Sequence, residues 1–436
     1  MKALVWHGRR DVRVERVDDP RIEAPTDAVI RVTSSGLCGS DLHLYEVLAP
    51  FMVPGDVLGH EPMGIVEAVG SAVTRISPGD RVVVPFNISC GHCFMCDHGL
   101  QSQCETTQAV DHGTGAALFG YTKLYGQVPG GQAEYLRVPH ADYGPIVVPD
   151  GPADDRFVYL SDVLPTAWQA VEYARPLEGP FRSLVVLGLG PIGDMSARVA
   201  QHRGVERVIG VDLVPERISR ARAHGVEVID LRESKGEDLT ERVLALTSGR
   251  GADAVVDAVG MEAHGSPVAH TAHRLTALMP NVIAEQVMQR AGVDRLAALH
   301  SAIDLVRRGG TISLAGVYGG MADPMPMLTM FDKQVTLRMG QANVRRWVDD
   351  LLPLVLERDV LGVDDFATHR VPLDRGPEAY AMFQRKEHGA VKVLFDMAAG
   401  GGADGPREAA TSITPDSMDD ADVTNGEAGV LSGRAT

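Results

Sequence analysis

The chain of 436 residues has no apolar run approaching the roughly 18 residues that a membrane span requires. It has no excess of positive charge either: 41 lysines and arginines face 58 aspartates and glutamates, a formal net charge of −17. That balance argues against nucleic acid or an anionic membrane as the main partner. The opening MKALVWHGRRDVRVERV alternates apolar with charged residues after its first lysine, so it reads as a strand and not as a secretory leader. Cysteine is scarce, five residues in all, too few and too closely spaced for a disulfide framework. What remains is an ordinary composition, 44% hydrophobic and 23% charged. It predicts a cytoplasmic, soluble protein of more than one domain.

The charge is unevenly spread. Residues 398–436 carry seven acidic residues against two arginines, no aromatic residue and few large aliphatics. Such a segment buries too little surface to offset the cost of ordering, so a disordered acidic tail is expected.

Four of the five cysteines, Cys90, Cys93, Cys96 and Cys104, fall in one short stretch, C-GH-C-FM-C-DHGLQSQ-C. Four thiolates closing on one Zn²⁺ would leave no open position, which makes the site structural. An iron–sulfur cluster is the competing reading of this spacing. Cys38 is left without a thiol partner. It sits in GLCGSDLHLYE, ahead of LGHEPMG with His60 and Glu61. A catalytic metal site takes three protein ligands and keeps one position open. Cys38 and His60 supply two, no cysteine remains for the third, and Asp162 in LSDVLPTAWQA is the best candidate.

A nucleotide site is written further on. SLVVLGLGPIG runs from a short apolar stretch into Gly188-x-Gly190-x-x-Gly193, followed by the helix-like DMSARVAQHRG and a second strand ending at Asp212. The first glycine permits the tight turn, and the second lets backbone approach a pyrophosphate. The helix N-terminus offers free N–H donors and the positive end of its dipole. Pro191 and Ile192 fall inside this turn. Asp212 would accept the ribose hydroxyls and repel a 2′-phosphate, which favours NAD over NADP. Arg217, and Val317 after GGTISLAG, complete the expected cofactor contacts.

Taken together, CGSDLH (Cys38–His43), GHE (Gly59–Glu61), the cysteine lobe and GLGPIG with Asp212 resemble the zinc-dependent medium-chain dehydrogenase/reductase superfamily, the zinc alcohol dehydrogenases. The likeness covers residues 1 to about 397. PFNISCGHC, GGQAEYLRVPHADY and Asp162 in LSDVLPT resemble the formaldehyde dehydrogenase branch, in which an Asp replaces the third zinc-binding Cys of liver-type enzymes. The resemblance implies an α/β protein. A GroES-like β-rich catalytic domain would span 1–163, with the structural-zinc lobe at 88–106. A Rossmann domain with a doubly wound parallel sheet would bind NAD over 164–340, and the chain would return to the catalytic domain over 341–397. It also implies two zinc ions per subunit, one catalytic and one structural, and a homo-oligomer, tetramer before dimer.

The resemblance assigns roles as well. Ser40 would take the substrate hydroxyl proton and pass it by way of the NAD ribose to His43. Asp41 would orient His60, Glu61 would lie behind the zinc, and Thr166 would pack against the nicotinamide. The implied reaction is hydride transfer between a small alcohol, or a formaldehyde-derived hydrate or thiol adduct, and NAD. A polyol or other secondary-alcohol dehydrogenase is the alternative within the superfamily, and a non-catalytic zinc- and nucleotide-binding relative the alternative outside it. Residues 261–308 exceed the compact members of the family. They are read as an inserted helical excursion in preference to an extra metal site at His264, His270 and His273. Asp257 is expected at a strand end near the cleft.

Overall fold

The computed structural model describes residues 1–233, 238–260, 296–318, 325–357 and 359–397. The expected tail, and the excursion as far as residue 295 with its three histidines, lie outside the described residues.

The opening stretch forms a hairpin and not a single strand. β1 (Lys2–Gly8) pairs antiparallel with β2 (Asp11–Arg16). β3 (Ala28–Leu37), β4 (Glu61–Val69), β5 (Arg81–Val83), β6 (Tyr135–Val138) and β7 (Ile146–Val147) follow. Their connections carry the short helices α1 (Gly39–Tyr45) and α2 (Phe94–Asp97). The chain then enters α3 (Val163–Ala174) and begins to alternate. In order come β8 (Ser183–Leu187), α4 (Pro191–His202), β9 (Arg207–Asp212), α5 (Pro215–Ala223), β10 (Glu227–Asp230), α6 (Leu239–Leu246) and β11 (Ala252–Asp257). From residue 296 onwards come α7 (Ala297–Leu305), β12 (Val306–Leu314), α8 (Met327–Lys333), β13 (Thr336–Met339) and α9 (Val344–Glu357). The last elements are β14 (His369–Pro372), α10 (Gly376–Arg385) and β15 (Val393–Asp396).

β1 and β2 form a sheet of their own, while β3 to β7 and the last two strands make a seven-stranded sheet in the order β14-β15-β3-β4-β5-β7 with β6 on β3. The middle strands make a six-stranded sheet, all parallel, in the order β10-β9-β8-β11-β12-β13. Numbered from its own first strand this is 3-2-1-4-5-6, the doubly wound order whose ligand crevice opens between the first and fourth strands. Those two, β8 and β11, are buried nearly throughout, because helices cover both faces of a parallel sheet. Their near-continuous runs of Val, Leu and Ala follow from that. β13, at the edge of this sheet, is a strand that apolar patterning does not reveal. Helix α9 runs through Pro353, and its buried face is Val344, Trp347, Val348, Leu351 and Val355. Among the described residues, no helix is long and apolar enough to cross a membrane.

Candidate active site

Helix α1 starts at Cys38, whose amide donates to Asp41 Oδ2 at 3.0 Å. His60 immediately precedes β4, and Asp162 sits at the N-cap of α3. Residues 124 positions apart thus meet: Cys38 Sγ lies 3.3 Å from Asp162 Oδ2, which lies 3.6 Å from His60 Nε2. Donors about 2.0–2.3 Å from a tetrahedral zinc lie roughly 3.3–3.8 Å from one another, so the spacing suits that ion. Cys38, His60, Glu61 and Asp162 are all buried and offer ligand atoms within 4.8 Å of one another.

The electrostatics point the same way. Burial pushes the Cys38 thiol up to about 11, with the Asp162 carboxylate adding to it. Burial alone would lower the His60 imidazole. The charge of Asp41 and hydrogen bonding with Asp162 outweigh that and lift it well above its ordinary value. Burial would raise Asp162, yet its contacts to His60 and Thr166 hold it at about 2. A buried set that draws a proton onto its histidine has room for positive charge, which a divalent cation would supply.

The neighbouring residues hold this set in place. His60 Nδ1 lies 3.1 Å from Asp41 Oδ1. Thr166 Oγ1 donates to Asp162 Oδ1 at 2.7 Å, which leaves Oδ2 facing Cys38 and His60. Thr166 is therefore tied to the donor set as well as lining the cleft. Ser40 Oγ lies 3.2 Å from both Cys38 Sγ and His60 Nε2, and His43 lines the same cleft. Glu61 forms a fully buried ion pair with Lys392 on the strand register preceding β15, and Lys392 Nζ also donates to Leu37 O at 3.2 Å. Sequence reasoning missed Lys392. A lysine at an inward position of the apolar run AVKVLF was the available signal. Phe86 and Tyr121 also went unrecognised. Their rings approach the His60 ring edge-on at 6.4 and 6.3 Å, and with Leu118 they form an apolar wall beside the donor atoms.

The four lobe cysteines converge separately. Their sulfurs lie within 4.8 Å of one another, with Cys93 Sγ 3.9 Å from Cys104 Sγ. Backbone amides of Cys90 and Glu105 donate to Cys104 and Cys93 at 3.3 and 3.4 Å. Burial would push Cys104 up, but the amide of Cys90 and donors from Thr107 outweigh it and bring it down to about 6. Four converging thiols, with Cys93 and Cys104 drawn below the ordinary thiol value while burial raises Cys96, fit a closed structural site.

The glycine turn joins β8 to α4 beside the first cluster. Gly188 takes φ +81°, which a side chain would resist. A Cβ on Gly193 would lie 1.7 Å from Gly188 O, whereas one on Gly190 would meet nothing nearer than Arg217 Nη1 at 3.5 Å. The fold itself demands the first and third glycines. At the second it leaves room that no protein atom takes. Asp212 ends β9 and accepts from the Leu189 amide at 2.6 Å and from those of Leu213 and Val214 at 2.6 and 2.8 Å. Its carboxylate thus braces the glycine turn, with Arg217 Nη1 3.9 Å away. Pro191, Ile192, Asp212, Arg217 and Val317 line one cleft with Gly188, Gly190, Cys38, His60 and Asp162. Gly193 packs behind it. Asp257 is buried at the end of β11, where Oδ1 accepts from the Val259 and Gly260 amides and Oδ2 from the Tyr318 hydroxyl.

Two family models match the chain: the alcohol dehydrogenase GroES-like domain over residues 24–150 and the zinc-binding dehydrogenase over residues 191–279. The zinc-type alcohol dehydrogenase-like protein AdhB of Bacillus subtilis (strain 168) is 38% identical, over 91% of this chain and 100% of that protein. The formaldehyde dismutase of Pseudomonas putida is 33% identical, over 88% of this chain and 95% of that one. Among solved structures, the alcohol dehydrogenase TADH from Thermus sp. ATN1 superposes with a TM-score of 0.75 at 34% identity, covering 91% of this chain and 100% of that chain. The metal-donor set, the glycine turn and these matches lead to one conclusion: the chain belongs to the zinc-dependent medium-chain dehydrogenase/reductase superfamily, that of the zinc alcohol dehydrogenases.

Proposed function

We propose that this oxidoreductase transfers hydride between a small alcohol or hydrated aldehyde, formaldehyde included, and NAD. The observation that carries this is one cleft lined by Cys38, His60 and Asp162 together with Gly188, Gly190 and Asp212. Cys38, His60 and Asp162 would hold a catalytic zinc, and Cys90, Cys93, Cys96 and Cys104 a structural one. When bound, the catalytic zinc supplies Lewis acidity that lowers the pKa of a substrate hydroxyl, the more so with a carboxylate in place of a second thiolate.

The chain's own residues do the rest. Asp41 and Thr166 orient two of the ligands. Phe86, Leu118 and Tyr121 exclude water and favour a small, largely apolar substrate. Ser40 takes the hydroxyl proton, and His43, at the cleft wall, passes it towards solvent. Ser40 alone is a weak base, so the relay needs the imidazole. Asp212 presents negative charge where a 2′-phosphate would fall, which favours NAD. The formaldehyde dismutase relative supports the substrate class. Five cysteines without a disulfide suit the reducing cytoplasm.

We further propose a homo-oligomer. α8 buries none of its residues, and Met327, Leu328 and Phe331 are exposed beside the edge strand β13, a face suited to a second copy.

The test is reduced-nicotinamide absorbance on mixing zinc-loaded protein and NAD with short alcohols, polyols, formaldehyde, or formaldehyde plus a low-molecular-weight thiol. A signal with a short alcohol or formaldehyde is expected. Silence with every substrate, in protein shown to hold zinc and NAD, refutes the proposal, and a signal with polyols alone moves it to that branch.

A further inference from the structure

We infer that Gln132 and Tyr380, which lie outside the metal-donor set, are positioning residues that fix the tautomer of His60 through Asp41. This rests on the reading of His60 as a metal ligand.

Gln132 is fully buried beside β1. Its backbone donates to Leu58 O at 2.9 Å, and its carbonyl accepts from Leu4 N at 2.8 Å. Its side chain occupies space that exists because residue 59 is glycine: a Cβ there would lie 2.4 Å from Gln132 Cγ. Tyr380 reaches the same point from α10, 248 positions later, and is also fully buried. Its hydroxyl donates to Gln132 Oε1 at 2.7 Å. The amide nitrogen then faces two oxygens, Gly36 O at 3.2 Å and Asp41 Oδ2 at 3.3 Å.

Chemistry allows this amide one orientation. Turned over, Gln132 would set its carbonyl oxygen against a backbone carbonyl and a carboxylate, with no hydrogen between them, and both of its N–H groups at the phenol. The observed direction uses both amide hydrogens and the phenol hydrogen. Asp41 Oδ2 consequently receives two donors, Cys38 N and Gln132 Nε2. Its other oxygen, Oδ1, is left for His60 Nδ1 at 3.1 Å. An acceptor at that position keeps the proton on Nδ1 and leaves the Nε2 lone pair towards Cys38 and Asp162. Along the chain Tyr380–Gln132–Asp41 the donors run towards the carboxylate, and the other amide hydrogen goes to Gly36 O. Without the phenol, Gln132 Oε1 loses the hydroxyl that donates to it, and the amide is held only from its nitrogen end.

The test uses Tyr380→Phe, which removes one hydroxyl and leaves the ring, with Gln132→Leu and the double variant beside it. Each protein is loaded with Co²⁺ in place of zinc, and the visible d–d spectrum and the rate of metal loss to a chelator are read at both clusters. Each single variant is expected to lose catalytic-site cobalt about tenfold faster or more, with a changed spectrum there, and to leave the cysteine-cluster cobalt untouched. Because both residues act through one amide, the double variant should lose metal no faster than Gln132→Leu alone. Should Gln132→Leu fail to fold, Tyr380→Phe decides alone. Wild type with cobalt in both clusters and a Tyr380→Phe protein indistinguishable from it overturns the inference and leaves the function standing. Equal loss from both clusters in the variants also overturns it. Wild type that takes up cobalt in the cysteine cluster alone overturns the functional reading and this inference together.

Discussion

Alanine at the second and third glycines of the turn should have opposite consequences. At Gly193 the new Cβ would sit 1.7 Å from Gly188 O and 2.8 Å from Gly188 C. Carbon and oxygen do not approach much inside about 3.2 Å without bonding, so the start of α4 must retreat by more than an ångström from the end of β8. Overpacking of that kind costs about 1–3 kcal/mol, at roughly 2–4 °C of Tm per kcal/mol for a domain of this size. At Gly190 the backbone has φ −68° and ψ −169°, which any residue adopts. The nearest atom is then an arginine tip at ordinary contact distance. Gly190→Ala should keep its Tm or gain up to about 1 kcal/mol through the unfolded chain. It should still weaken NADH binding at least tenfold, about 1.4 kcal/mol, because on the proposed function the space beside Gly190 takes the dinucleotide. Calorimetry and NADH fluorescence titration on the two variants separate these effects. A Gly190→Ala protein that binds NADH like wild type, or a Gly193→Ala protein with unchanged Tm, refutes the division of roles.

Two further predictions concern buried charge. Lys392→Met leaves the Glu61 carboxylate buried without its cation and should cost about 3–5 kcal/mol in urea unfolding; adding Glu61→Gln should recover part of it, and failure to do so counts against the pair. Burial would raise the Asp253 carboxyl, but the Arg307 guanidinium at 2.6 Å and the Arg182 and Ser183 amides at 2.9 and 3.0 Å outweigh it and hold it below the ordinary carboxylate value. A depressed folded value stabilises the protein above the unfolded pKa, and that stabilisation is lost as pH falls through the folded one. Asp253→Asn should therefore be less stable than wild type above about pH 4, with the gap closing under acid; a gap independent of pH contradicts this.

What could be read ahead of the fold was local. The glycine turn, the four lobe cysteines and the strand ending at Asp212 each fit within a few turns of chain, so spacing alone carried their chemistry. Asp162 emerged because the cysteines ran out, and the fold brings it to Cys38 and His60. Gln132 and Tyr380 were silent, and Lys392 showed only as a lysine within an apolar run. Each works through a partner between 91 and 331 positions away, and tertiary pairing leaves no periodicity in the chain. β13 escaped because its four residues are only partly buried at the sheet edge, too short and too mixed for an apolar pattern. Asp212 was found for its charge, while its service to the Leu189 amide became visible only in the folded turn.

Cys38, His60 and Asp162 are proposed to form a metal site distinct from the cysteine lobe. Zinc per chain in purified wild type and Asp162→Ala tests it most directly. Two zinc ions falling to one, with NADH binding preserved, is the predicted result. An Asp162→Ala protein that keeps both, or a folded one that loses the lobe zinc instead, would contradict it.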